Sequence, residues 1–449
     1  MKRLAESTLL SWYKKTNRKP LLIDGARQVG KTYLVEKLFG PKNVNKLIKL
    51  NFMKEPSLAD IFQSNLSPEL LVKNIQLVTG DEFNPKTDLL FFDEIGLCQG
   101  ALNSLKFFNE ERPDIAIIAT GSNIGLLGSF PVGQVDRYQL HPMGFEEFLW
   151  ANGFTALADE INSADRQTIS PAVHERIWQL LLDYYFVGGM PSAVSIWASS
   201  NKDDKILKTV TAVRDVHKSL IQDYKNDFGK FSSGTNYNAL HIARVFESVP
   251  VQLMKAQGGN APKYRFKDVV KGVRSYAPLE SPIEFLEKVR LVKKSYVIEG
   301  RPSSPLKIGR ANNRFKLLLH DVGLLNAMLD ISYREILQQS QHYKGYIAEN
   351  FVANELFLAG ASEGIDSWAS KRNAKLEFLV TDSHGNIIPI EVKSGKSVKS
   401  KSMSEYVKAY RPNHAYKLTG RLSSASKEGL IKELPLYMTA PLYRRLMKE

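Results

Sequence analysis

The chain has 449 residues, with 61 Lys+Arg against 47 Asp+Glu and a formal net charge of +14. That length allows two or three domains, each able to bury its own core. A single cysteine, Cys98, excludes an intrachain disulfide framework and a thiolate zinc cage, and fits a reducing compartment. No stretch reaches the ~18 apolar residues of a membrane span, and Met1 to Ser7 lacks the apolar core of a signal peptide. A cytoplasmic protein with no membrane partner is the default expectation.

The first strong pattern is Gly25-Ala26-Arg27-Gln28-Val29-Gly30-Lys31-Thr32, which satisfies every position of the phosphate-binding loop G-x-x-x-x-G-K-[ST]. The apolar run Leu21-Leu22-Ile23 precedes it, and Tyr33 to Phe39 follows with helical spacing. Strand, loop and helix are the context that pattern requires. Its glycines let backbone N–H groups converge on phosphate oxygens at a helix N-terminus. The loop from Gly25 through Val29, with Gly30, Lys31, Thr32 and the adjoining Tyr33, is therefore the expected nucleotide site. Lys31 would reach the β- and γ-phosphates, and the Thr32 hydroxyl would ligate Mg²⁺.

Leu89-Leu90-Phe91-Phe92 reads as a strand buried on both faces of a parallel sheet. Asp93 and Glu94 stand at its carboxyl end, where open α/β sheets bind ligands. Asp93 would hold Mg²⁺ and Glu94 would polarise the attacking water. Ala101 to Glu110 reads as a connecting helix, followed by the strand Ile115 to Thr120. Two readings stand for its end: Thr120, Ser122 and Asn123 sense the γ-phosphate or place the water, or Ser122 or Asn123 caps the next segment. Alternating strands and helices give a doubly wound parallel sheet.

Several segments resemble one family. Gly25 to Thr32, Phe91-Phe92-Asp93-Glu94-Ile95, Ala119-Thr120-Gly121-Ser122-Asn123 and Gln139 to Leu149 are similar to the prokaryotic AAA-type ATPases that carry a C-terminal domain of unknown function. Val187-Gly188-Gly189-Met190-Pro191 and His320-Asp321-Val322-Gly323-Leu324-Leu325 fit the same resemblance, which implies ATP binding and hydrolysis. The chain departs from it at Val132-Gly133-Gln134, where family members carry Arg or Lys. Gln134 cannot act as an arginine finger. Arg137 is a substitute only if its loop presents it; otherwise hydrolysis is slow, or a homo-oligomer or another partner supplies the cation.

The charge is uneven. Residues 1–200 carry 20 Lys+Arg against 22 Asp+Glu, residues 201–320 carry 23 against 11, and residues 321–449 carry 18 against 14. The middle excess of +12 is the kind of footprint a polyanion partner leaves. Residues 151–235 read as a helical lid or linker, with Gly188-Gly189 as a tight turn. Within 236–315 the spacing predicts helices over 238–248, 266–271 and 281–290, then strand-like pieces at 292–298 and 305–308. Three helices and a hairpin make a basic winged helix, with 281–290 offered to a DNA groove and the Arg301 loop as wing. Lys263, Arg265, Lys267, Lys271, Arg274, Lys288, Arg290, Lys293, Lys294 and Arg301 are the phosphate-contact candidates. The alternative is a packing module whose lysines are simply solvated.

Residues 316–449 hold a second constellation. Glu349 stands among apolar positions of a helix, Leu376 to Val380 reads as a strand, and Ile387 to Lys393 follows a turn at Asp382 to Asn386. Strand alternation puts Glu391 and Lys393 on one face. A helix Glu, an acid and a Glu-x-Lys in this order resemble the PD-(D/E)xK nuclease superfamily. That resemblance implies a second Mg²⁺ held by Glu377 and Glu391, with Lys393 stabilising charge and Glu349 in support. Here too the chain departs: Lys375-Leu376-Glu377-Phe378 replaces Glu-x-Asp-Phe. Three readings remain: a cutting site, a nuclease-like fold that binds nucleic acid through cations such as Lys393, Lys396, Lys399 and Lys401, or a surface hairpin.

The expected architecture is α/β: a P-loop ATPase domain (1–150), the helical region (151–235), the winged helix (236–315) and an α/β nuclease-like domain (316–449). The expected function is ATP binding and hydrolysis, with action on or with DNA or another nucleic acid. The alternative is a nucleotide-switched regulatory ATPase whose nuclease-like domain is inactive or only binds.

Overall fold

The structure is a computed structural model that describes residues 1–122, 124–126, 133–163, 169–200, 202–232, 238–256, 263–338, 344–361, 364–370, 374–394, 400–422 and 430–448. The chain divides into two compact units: residues 1–141 with 288–290, and residues 142–287 with 291–449. Among the described residues no helix is long and apolar enough to cross a membrane.

The first unit is built on five parallel strands: β1 (Leu21–Asp24), β2 (Leu47–Asn51), β3 (Leu89–Asp93), β4 (Ala116–Gly121) and β5 (Asp136–Gln139), in the order β2-β3-β4-β1-β5. Every residue of β1, β3 and β4 is buried, because helices cover both faces of such a sheet. Leu22, Leu90, Phe92, Ile117 and Ala119 share one core with Leu102, Leu105 and Phe108 of the helix Gln99–Glu111. Each large apolar side chain so buried contributes roughly 1.5–3 kcal/mol. The edge strand β2 alternates between half-buried and buried positions. Parallel register aligns the carboxyl ends: Asp24 pairs with Gly121, and Asn51 with Asp93. That edge carries the candidate site.

The second unit combines helices with one seven-stranded mixed sheet. Its strands are β6 (Val292–Glu299), β7 (Phe315–Leu319), β8 (Asp366–Ala369), β9 (Lys375–Thr381), β10 (Ile387–Lys393), β11 (Ala415–Thr419) and β12 (Ile431–Pro435), ordered β12-β11-β10-β9-β8-β6-β7. Two predicted features differ here. The segment 266–271 forms turns, with Asp268 at φ +66°, a backbone state that ends a helix. The predicted strand at 305–308 is a 3-10 turn, Leu306–Gly309, since Pro302 and Pro305 lack the N–H a ladder needs. β6 instead pairs antiparallel with β7 and parallel with β8. The predicted wing strand is thus a member of the large sheet, and the 315/316 boundary falls inside β7.

Two motifs far apart in sequence meet in this unit. The buried Asp321 carboxylate accepts N–H bonds from Leu324 (2.8 Å), capping the helix Val322–Met328, and from Gly189 (2.6 Å). Gly188 has φ +70°, and a Cβ on it would lie 2.3 Å from Asp321 Oδ1. The Gly188-Gly189 turn is therefore clamped to a helix cap.

Candidate active site

The phosphate loop joins β1 to the helix beginning at Lys31. A Cβ on Gly25 would lie 2.4 Å from the Leu140 carbonyl oxygen, so only glycine fits there. Gly30 has φ +93°, the left-handed region that glycine enters freely. Gln28 is also left-handed, at φ +66°; such alternation turns successive N–H groups toward one point, the geometry of an anion nest. Lys31 is 6% exposed. Its ammonium donates to the Gly25 and Ala26 carbonyls and to Ser122 Oγ, each at 2.9 Å. Burial lowers its pKa to about 8, against the opposing charges of Glu94, Asp24 and Asp93.

Asp93, at the end of β3, is buried and collects four donors. Its Oδ1 accepts from Thr32 Oγ1 (2.9 Å) and Thr120 Oγ1 (2.6 Å). Its Oδ2 accepts from Asn51 Nδ2 (2.9 Å) and pairs with Lys49 Nζ (3.1 Å). The Thr32 hydroxyl and the Asp93 carboxylate are hard oxygen ligands of the kind Mg²⁺ takes alongside phosphate and water, so this pair fits a metal-nucleotide complex. Glu94 has φ +55°, a strained state for a non-glycine residue costing roughly 1–3 kcal/mol and concentrated at functional sites. Burial raises its pKa, with the Lys31 charge opposing.

Ser122 is bonded to the loop lysine, whereas Asn123 and Val132 lie outside the described residues. Gln134 accepts from Asn109 Nδ2 (2.5 Å) and donates to Glu110 Oε1 (3.2 Å). Arg137 is exposed on β5.

In the second unit the register that pairs Phe378 with Ile390 sets Glu377 opposite Glu391, and Glu391 pairs with Lys417 on β11. Each carboxylate has a donor. Glu377 Oε2 accepts from the Val392 N–H (2.9 Å). Glu391, 1% exposed, pairs with Lys393 Nζ (3.1 Å) and accepts from Ser400 Oγ. Glu349, on the helix Lys344–Leu358, pairs with Lys316 of β7. Burial raises the Glu377 pKa, opposed by Lys393 and reinforced by Glu349. Burial lowers that of Lys393, but Glu377 and Glu391 outweigh it and the net shift is upward. Among the described residues no three His, Cys, Asp or Glu side chains converge as a metal-holding group. Glu377 and Glu391 are thus drawn together, but with a lysine, a hydroxyl and an amide as their partners. Lys396 and Lys399 lie outside the described residues.

The cations of the 288–301 segment are mostly engaged. Arg290, which counts with the first unit, donates from Nη2 to Asp24 Oδ2 at 2.6 Å. Lys293 lies 3.6 Å from the Phe357 ring centroid, and Lys294 pairs with Glu287 at 2.6 Å. Lys288 and Arg301 are exposed.

The sequence family described as an AAA domain matches residues 17–149. Residues 17–149 form an AAA domain built around the phosphate loop. Two domains of unknown function match later segments: DUF8612 over residues 179–335 and DUF4143 over residues 344–438. A search among curated proteins finds no match. Among solved structures, the Walker-type ATPase PABY2304 of Pyrococcus abyssi is 16% identical, with a TM-score of 0.44 over 73% of this chain and 95% of that one. C. elegans PCH-2 is 14% identical, with a TM-score of 0.30 over 47% of this chain and 64% of that one. Those scores are too low to transfer anything to this chain.

Three members of the ATPase-domain site were missed in the sequence: Lys49 and Asn51 on β2, and Glu36, whose Oε2 lies 2.9 Å from Lys49 Nζ. The available signal was Leu47-Ile48-Lys49-Leu50-Asn51, an alternating strand whose polar end must sit at the same sheet edge as Asp93.

Proposed function

We propose that this chain couples ATP hydrolysis to nucleic-acid contact, with a nuclease-like region that does not cut. The observation that carries hydrolysis is the position of Glu94: strained, half-buried, one residue beyond the metal-side carboxylate Asp93 and electrostatically coupled to Lys31. Lys31 and the loop amides hold the β- and γ-phosphates, and Thr32 and Asp93 hold Mg²⁺. The metal, when bound, neutralises charge that develops on the phosphoryl oxygens. Glu94, its pKa raised by burial, accepts the proton of the attacking water. Phosphate release measured on purified protein tests this: wild type releases phosphate with Mg²⁺, and Lys31→Ala does not. Equal release by both sinks the reading.

Nucleic-acid contact draws its support from residues 263–274, where Lys263, Arg265, Lys267, Lys271 and Arg274 are all exposed and Asp268 is the single acid. Backbone-phosphate binding of this kind weakens steeply with salt. A labelled DNA duplex should therefore bind less tightly as salt rises, and less tightly still to the Lys267→Glu/Lys271→Glu protein. Salt-insensitive binding, or binding unchanged by that double substitution, removes this segment from the contact.

A second reading, a metal-dependent nuclease, is favoured by Glu377 facing Glu391 with Lys393 beside them. Plasmid nicking that needs Mg²⁺ and disappears in Glu391→Gln would establish it.

A further inference from the structure

No sequence motif accounts for Lys49, yet it stands at the metal side of the ATPase domain's site. It pairs in register with Phe91, and its ammonium lies 5.5 Å from the centroid of that ring. The ammonium is shared between two carboxylates, Asp93 Oδ2 at 3.1 Å and Glu36 Oε2 at 2.9 Å. Asp93 is 2% exposed at the side chain, Lys49 27% and Glu36 32%, so one partner is sealed in the sheet edge and the other faces outward.

This arrangement has an electrostatic consequence. The carboxylate oxygen that Lys49 touches belongs to the residue that, with Thr32, fits Mg²⁺. A fixed ammonium and an incoming divalent ion therefore draw on the same negative charge and repel each other. Glu36 modulates that competition, because it offers the ammonium a second carboxylate and takes part of its charge away from Asp93. Removal of Glu36's charge leaves Asp93 as the remaining anionic partner of Lys49 in this trio.

We propose that Lys49 is a positioning residue that sets the metal demand of the nucleotide site: held between Glu36 and Asp93, it raises the Mg²⁺ concentration the site needs and favours metal-free nucleotide. The inference rests on the reading that Thr32 and Asp93 hold Mg²⁺ with ATP. A structural role for Lys49, stapling β2 to the helix that bears Glu36, makes a different forecast, since it would weaken nucleotide binding with and without metal alike.

The test is binding of a fluorescent ATP analogue to the full chain, first in EDTA and then over a Mg²⁺ titration. In Lys49→Met the Mg²⁺ concentration giving half the metal-dependent gain in affinity should fall about ten-fold, while affinity in EDTA falls about three-fold. Glu36→Gln should shift the Mg²⁺ midpoint the opposite way, upward by about three-fold. Opposite signs in the two variants are the signature. A midpoint that stays put or rises in Lys49→Met overturns the inference, as does movement of both variants in one direction. If Lys49→Met does not fold, the Glu36→Gln shift alone decides. Wild-type protein that binds no nucleotide under either condition fails at the earlier step and overturns the nucleotide reading itself.

Discussion

The two charged clusters of this protein treat buried charge in opposite ways. In the nucleotide site, the hydrogen bonds of the Lys31 ammonium go to two carbonyls and a hydroxyl, all neutral, and burial drags its pKa down to about 8. In the β9–β10 cluster, Glu391 meets Lys393 and Glu349 meets Lys316, so the charges are matched within the fold. A buried cation held by neutral oxygens has electrostatic capacity left for an anion. A buried carboxylate paired with lysine takes a metal only against that lysine's competition, as Asp93 would against Lys49. Among the described residues, the β9–β10 cluster has the lysines but no phosphate loop beside them. The difference separates a site built for a ligand from a cluster that is complete without one.

The largest effect that would break this contrast is loss of Lys31. Lys31→Ala should abolish nucleotide binding and phosphate release, measured by calorimetry and a phosphate assay, since its buried ammonium bonds the loop carbonyls of Gly25 and Ala26. Next is Glu94→Gln, which should lower the hydrolysis rate about 100- to 1,000-fold with ATP affinity little changed. An equal loss of affinity would mean that Glu94 binds nucleotide instead of handling a proton.

The second cluster is sharpened by breaking its pairs. Glu391→Gln removes the salt-bridge partner of Lys393, which is 36% exposed and keeps Glu377 nearby, so the cost should be about 1–3 kcal/mol, read as a fall in thermal midpoint. Glu391→Leu combined with Lys393→Met removes both charges of that pair, so any cost beyond the single substitution measures the support Lys393 gives the buried Glu377. A Glu391→Gln protein with unchanged stability but altered metal binding would place the cluster among ligand sites.

The smallest expected effect is the pH dependence at Lys31. The folded-state pKa is lowered from 10.5 to about 8, so between those values the folded protein binds fewer protons than the unfolded chain. This group's contribution to stability therefore grows as pH rises through that window. ATP needs the ammonium, so its affinity should move the other way, falling up to about ten-fold per pH unit above pH 8. Calorimetry in buffers of differing ionisation enthalpy should also detect proton uptake on binding.

What was legible in the sequence was local. The phosphate loop declares itself because glycine positions, strand and helix lie within about twenty residues, and β3 because four bulky apolar residues precede Asp93. Lys49 and Asn51 were only partly legible: alternation marks their strand, but their meeting with Asp93 depends on the register between two parallel strands some forty residues apart. The same cause hid the true partners of β6. A hairpin to the nearby 305–308 looked cheapest in chain length, but Pro302 and Pro305 remove ladder donors, and Phe315–Leu319 supplies an uninterrupted buried strand. Glu391 and Lys393 were placed on one face correctly by alternation alone. Lys316 was missed there because it arrives from β7, far from the β9–β10 hairpin in sequence.

The central claim is that one cluster turns over a ligand and the other is closed on itself. It is tested most directly by following phosphate release from ATP and nicking of supercoiled plasmid in one preparation with Mg²⁺. The expected result is phosphate release that Glu94→Gln suppresses, with plasmid left intact by both proteins. Nicking that Glu391→Gln abolishes, or phosphate release indifferent to Glu94→Gln, would contradict it.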